Sequence, residues 1–288
     1  MTGKRVPISR VAEMENVMPP GVLVAIKDRE DGDTRHSGTA QTATAFNGCP
    51  RKLLIERMLD VYIDPQKLWP ARGGQMLHEQ FGLEVAAEKN PDGSLKWWTE
   101  EMDPDKCVHT GEIWGIEYSW KGDLVRRDWG EIGDWKCSFN RADKWVAPNR
   151  KAKLEHSIQL NMGRKGVERT IGRDMRDITM WAYIVGGKWV KTYADYMTDD
   201  QMAGVKIGGS KFTAKELFTD VHKAYLRWLD EAARYDGDLY KVPVEMRKKI
   251  AREMKLYGTD LWKNRQGGNA CTDYCAISKD CDELEGGV

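Results

Sequence analysis

A chain of 288 residues, 41% hydrophobic and 31% charged, can bury a sizeable core as one large domain, and this composition excludes collagen-like and disordered classes. The 45 Lys and Arg balance 45 Asp and Glu, so no uniform positive field exists to coat nucleic acid indiscriminately, although charge can still be concentrated locally. No apolar run approaches the ~18–20 residues of a membrane span.

The N-terminal "MTGKRVPISRVAEMENVM" carries charge but no apolar segment of a secretory signal, so a reducing, cytoplasmic setting is expected. Residues 1–41, with "MPPG" and "KDREDGDTRHSGT", read as an extension rich in loop. "TATAFNGCPRKLLIERMLD" reads as a helix, with Pro50 in its first turn and Leu54/Met58 and Ile55/Leu59 as i,i+4 pairs. A second helix is predicted at "GGQMLHEQFGLEVAAEK", where Leu77, Phe81 and Val85 recur every fourth residue, and "NPDGS" ends it.

The stretch "HTGEIWGIEYSWKGDLVRRDWGEIGDWKCSF" is strand-rich. Trp114, Ile116, Tyr118 and Trp120 alternate with Ile113, Gly115, Glu117 and Ser119, giving one bulky face. A helix is expected near residues 150–166, then a strand pair in "TMWAYIVGGKWVKTYADYM" turning at Gly186-Gly187. The last third is helical, in "TAKELFTDVHKAYLRWLDEAARY" and "VPVEMRKKIAREMKLYGTDLW", with Leu217, Val221 and Trp228 as core. This order predicts an α/β (α+β) fold, a mixed sheet flanked by helices.

The chemistry concentrates in "GDLVRRDWGEIGDWKCS". Asp134 and Lys136 are two apart on a strand and so share a face, and Asp123 lies at the preceding strand. If those strands pair, two carboxylates and an ammonium converge. Two carboxylates suit Mg²⁺ or Mn²⁺, hard ions that favour oxygen, and a neighbouring lysine can orient water and stabilise phosphate charge. A surface ion pair is the plainer account of the triplet alone. Glu131 falls on the opposite strand face, Asp128 in a loop, and Glu112 and Glu117 at solvent-facing positions.

Taken together, the motifs resemble the PD-(D/E)XK nucleases, specifically the RecB-like branch with the CRISPR-associated small exonucleases and the AddB-type iron–sulfur nuclease domains. "NGCPRKLLIERML" is similar to the family's cysteine-bearing helix, with Cys49. "GGQMLHEQF" is similar to its G-x-x-x-H helix, with Gly74 before His78. "GDLVRR…GDWK" is similar to its metal-binding hairpin.

The resemblance implies a restriction-endonuclease-like core over 42–288, with a cluster-bearing helical lobe from about 42–60 and 265–288. By it, His78, Asp123, Asp134 and the Trp135 carbonyl would hold Mg²⁺ or Mn²⁺, and Lys136 would position water. Gln159 matches the first half of the family's Q-x-x-x-Y helix, while the tyrosine position holds Gly163.

Cys49, Cys271, Cys275 and Cys281 form a one-plus-three set. Four thiolates at irregular spacing suit a [4Fe–4S] cluster, whereas structural zinc more often uses two close pairs; zinc remains the alternative. Cys137 follows Lys136 and reads as sheet packing. From Arg141 to Arg176 ten Lys and Arg face four Asp and Glu. Arg150, Lys151, Lys153, Arg164 and Lys165 in this run, with Arg126 and Arg127 after Asp123, are candidate phosphate contacts.

The expected function is metal-dependent DNA cleavage. The resemblance implies exonuclease action on ends or single strands, in bacterial or phage recombination, repair or CRISPR-type processing, with a protein partner conceivable and no membrane. The alternative is a non-catalytic DNA-binding or assembly protein whose cluster or zinc is structural only.

Overall fold

The computed structural model describes Ala43, Ile55, Met58 and Leu59, and residues 65–99, 108–126, 128–138, 151–184, 188–207 and 212–253. The chain runs through helix α1 (Pro65–Ala86) and strands β1 (Trp98–Thr99), β2 (Val108–Ile113), β3 (Ile116–Lys121), β4 (Leu124–Arg126) and β5 (Glu131–Ser138). Helix α2 (Leu154–Ile171), strands β6 (Asp177–Ile184) and β7 (Lys188–Tyr193), and helices α3 (Asp199–Ala203), α4 (Ala214–Ala232) and α5 (Val244–Glu253) follow. Helix α1 starts at Pro65, ahead of the expected Gly73; a proline's fixed φ suits a first helical position.

Five strands form one sheet in the order β1-β4-β5-β6-β7. Strands β5 and β6 are parallel because α2 carries the chain back between them, and the other pairs are antiparallel. The expected mixed sheet with flanking helices is therefore present. Alternation along the strands builds both faces. Leu124 and Trp135 meet Phe81 and Val85 of α1, while Val125 and Ile132 enter the main core with Ile158 and Leu160 of α2.

The bulky alternation expected through 113–120 is interrupted. Trp114 and Gly115 form a two-residue turn with φ of 55° and 75°, and β2 and β3 fold back as a separate two-stranded sheet. Paired positive φ values are the geometry a tight hairpin needs. Trp114 tolerates it because its side chain is anchored: Nε1 donates to the Asp199 carbonyl (3.2 Å) and the ring stands edge-on to Phe218. Beyond the turn the expected face holds, with Ile116, Tyr118 and Trp120 buried and Glu112 and Glu117 exposed.

The C-terminal helices build a second cluster. Val221, Trp228, Ala232, Val242 and Ile250 pack with Met58, which is fully buried. Arg247 Nη1 donates to the Met58 carbonyl at 2.6 Å, tying the last turn of the expected first helix to α5. Leu217, Val221 and Trp228 are core, as expected. The Gly186-Gly187 turn, Cys49, Cys271, Cys275, Cys281, Arg127 and Arg150 lie outside the described residues.

Candidate active site

The register of β4 on β5 pairs Leu124 with Gly133, and one step further places Asp123 opposite Asp134. The two carboxyls are close enough for the Asp134 charge to act on Asp123. Asp123 Oδ2 also accepts from the Trp135 backbone N–H at 2.6 Å. Asp134, 4% exposed, forms an ion pair with Lys136, the contact that a shared strand face provides. His78 reaches the pair from α1, its Nδ1 3.6 Å from Asp123 Oδ2. His78, Asp123, Asp134 and Lys136, drawn from a helix and two strands, are thus brought to one point.

Burial and the neighbouring Asp134 push Asp123 well above the usual carboxylate range. Burial alone would raise Asp134 as well, but the Lys136 ammonium beside it holds it below its ordinary value. The two carboxyls are therefore pushed in opposite directions, Asp123 towards its protonated form and Asp134 towards its ionised form.

Among the described residues no group of three or more His, Cys, Asp and Glu side chains stands ready as it is to ligate one ion. Lys136 engages Asp134, and the Trp135 amide engages Asp123. The donor chemistry nonetheless fits a divalent cation. Two carboxylates and an imidazole supply donor types such an ion takes, and two neighbouring carboxyls make a place where positive charge is favourable.

Helix α2 supplies a residue that the sequence reading missed. His156 lies in its first turn, 8% exposed, three residues before Gln159, which is 2% exposed. Both sit on the buried side of the helix that packs on the sheet. The fields of Lys136 and Asp134 both reach His156; burial first, then Lys136, hold it at a pKa of about 4, so it is neutral. The signal was the three-residue spacing from Gln159, which puts the two on one helical face.

The candidate phosphate contacts are distributed differently. Lys153 stands exposed at the N-cap of α2. Lys151 pairs with Asp195 at 2.5 Å, Arg164 with Glu168 at 2.8 Å and Lys165 with Asp199 at 2.5 Å. Arg126 binds Asp128 and lies over the Trp97 and Trp129 rings. Glu131, as expected, is on the other face from Asp134, buried against Lys191 and Thr179. No described helix is long and apolar enough to cross a membrane.

No family model matches the chain. No curated protein matches it either. Among solved structures, "Crystal structure of SSO0001" aligns with 55% of this chain and 69% of that one, at 12% identity and a TM-score of 0.32. A likeness of that degree carries no argument about fold or function.

Proposed function

We propose that the chain is a metal-dependent DNA nuclease on a restriction-endonuclease-like core, cleaving phosphodiester bonds at DNA ends or in single strands. One observation carries this reading. Asp123 and Asp134 face each other across β4 and β5, with Lys136 paired to Asp134 and His78 beside Asp123.

His78, Asp123, Asp134 and the Trp135 carbonyl would hold Mg²⁺ or Mn²⁺. The ion, when bound, lowers the pKa of water and polarises the scissile phosphorus. A cation held there would favour the ionised form of Asp123, since it would offset the Asp134 charge that pushes the Asp123 pKa up. Lys136, freed from part of its pairing with Asp134, orients the attacking water and offsets charge on the phosphate oxygens. His156, buried on α2 and within reach of the Lys136 charge, and Gln159, three residues on, would present neutral polar groups there. Lys153, exposed at the start of α2, would contact a backbone phosphate.

The [4Fe–4S] cluster on Cys49, Cys271, Cys275 and Cys281, or zinc in its place, belongs to this proposal on the sequence pattern alone. Docking of Met58 on α5 is compatible with it, because it brings the segment after Cys49 to the C-terminal helices. Iron and zinc analysis of anaerobically purified protein decides between the metals. Cys49→Ala and Cys281→Ala should then lose the same metal.

The test of the activity is cleavage of labelled single- and double-stranded DNA with Mn²⁺. Wild type should cut, and Asp134→Asn should lose roughly 10²-fold or more, the scale of removing one preorganised charged group. Equal, metal-independent cutting by both proteins would overturn the assignment. DNA binding with no cutting by wild type would favour a non-catalytic assembly role.

A further inference from the structure

Between β3 and β4 the chain leaves one sheet for another through Gly122-Asp123. Asp123 therefore inherits its position from how the β2–β3 hairpin is docked. An isolated two-stranded sheet is marginal in water and takes its orientation from what it packs on. Here that support is α2.

The docking surface is a flat seat for aromatic rings. His109 and Trp120 are cross-strand partners, stacked with centroids 6.1 Å apart and 28° between planes. They lie on Gly166 and Gly163, one helical turn apart on α2. A Cβ at Gly163 would stand 2.6 Å from Trp120 Cδ2 and 2.8 Å from its Cζ2, and one at Gly166 would stand 3.3 Å from His109 Cβ. The same indole also covers Gly122, where a Cβ would collide with the six-membered ring. Trp120 is 1% exposed, and its Nε1 has no hydrogen-bond partner among the described residues. The side chain acts by shape.

We propose that Trp120 is the positioning residue for Asp123: its indole, packed on both Gly163 of α2 and Gly122, fixes the backbone that delivers the carboxyl to Asp134 and the Trp135 amide. This rests on the nuclease reading for its functional meaning, but not for its geometry. It also accounts for Gly163 at the place where the resembled helix motif has tyrosine. A larger side chain there would displace Trp120 from its seat.

Hydrogen exchange of the Trp135 backbone amide in metal-free protein is the direct readout, since that N–H donates to Asp123 Oδ2. Trp120→Leu should speed exchange there roughly tenfold, the equivalent of one hydrogen bond of ordinary net strength. Gly163→Ala should act in the same direction, and Trp120→Phe, which keeps a ring in the seat, should restore most of the protection. Tyr118→Phe is the control. It loses the hydroxyl bond to the Met162 carbonyl (2.8 Å) in the same hairpin–helix seam but leaves Gly122 covered, so the Trp135 amide should be unchanged.

Equal exchange in Trp120→Leu and wild type would overturn the proposal, and so would equal acceleration in Tyr118→Phe. Should Trp120→Leu not fold, Trp120→Phe and Gly163→Ala carry the same comparison. A protein that never cuts DNA yet shows Trp120-dependent protection would refute the nuclease reading alone.

Discussion

At the scale of single residues, the site is organised by which charges have partners. Asp134 is buried and its counter-ion is Lys136, two positions along the same strand. Lys136→Met would leave a carboxylate in a low-dielectric setting without compensation, which costs about 3–5 kcal/mol when one member of a buried pair is removed. Urea denaturation at neutral pH should show that loss. The deficit should shrink in acid, where Asp134 takes up a proton, and the double variant Asp134→Asn/Lys136→Met should recover most of it. His156 is subtler, because it is neutral and can act only as a polar group, by a hydrogen bond to substrate or water. Under the nuclease reading His156→Leu should slow cleavage about tenfold, the worth of one hydrogen bond, with His156→Gln closer to wild type. These two variants differ in shape and polarity, not in charge, so a kcat comparison at saturating Mn²⁺ separates them.

At the scale of elements, much of the architecture was legible because it rests on local pattern. The four-residue repeat of Leu77, Phe81 and Val85 marked α1, and Asp134 with Lys136 shared a face because the strand period is two. The hairpin was legible only in part. Alternation through Trp114-Gly115 continues across the turn, so period-two reading cannot distinguish one long strand from two short ones. A tryptophan at positive φ is an uncommon turn residue. Its conformation is held by Asp199 and Phe218, far along the chain, and nothing local announces them. Gly115 is the residue that makes the turn cheap. Its φ is 75°, and no neighbouring atom lies within 4 Å of where a Cβ would stand, so Gly115→Ala meets strain but no clash. The expected cost is about 1 kcal/mol, read as a lowered Tm with cleavage nearly intact, since the turn is at the hairpin end away from Gly122.

At the scale of the whole molecule, the sequence misleads wherever charge is balanced over long range. The basic run from Arg141 to Arg176 looks unopposed in the chain, yet Lys151 and Lys165 meet Asp195 and Asp199 from the segment after β7. Zero net charge is thus realised in part by pairs that join distant segments. Buried histidines are similarly invisible to composition. His109, 2% exposed and stacked on Trp120, is held neutral by burial, with its pKa lowered from 6.5 to about 4. The unfolded chain binds a proton near pH 6.5 that the folded chain refuses, so the stability is fully present above that pH and drains away as pH falls toward 4. The linked loss is about 3 kcal/mol at the lower end. His109→Phe keeps the stacked ring and removes the titration. Between pH 6.5 and 5, above most carboxylate titration, its stability should fall less steeply than that of wild type, by up to one proton's slope of about 1.4 kcal/mol per pH unit. Denaturant midpoints of metal-free protein across that window measure the difference. Parallel curves for the two proteins would mean that His109 takes its proton without leaving the fold.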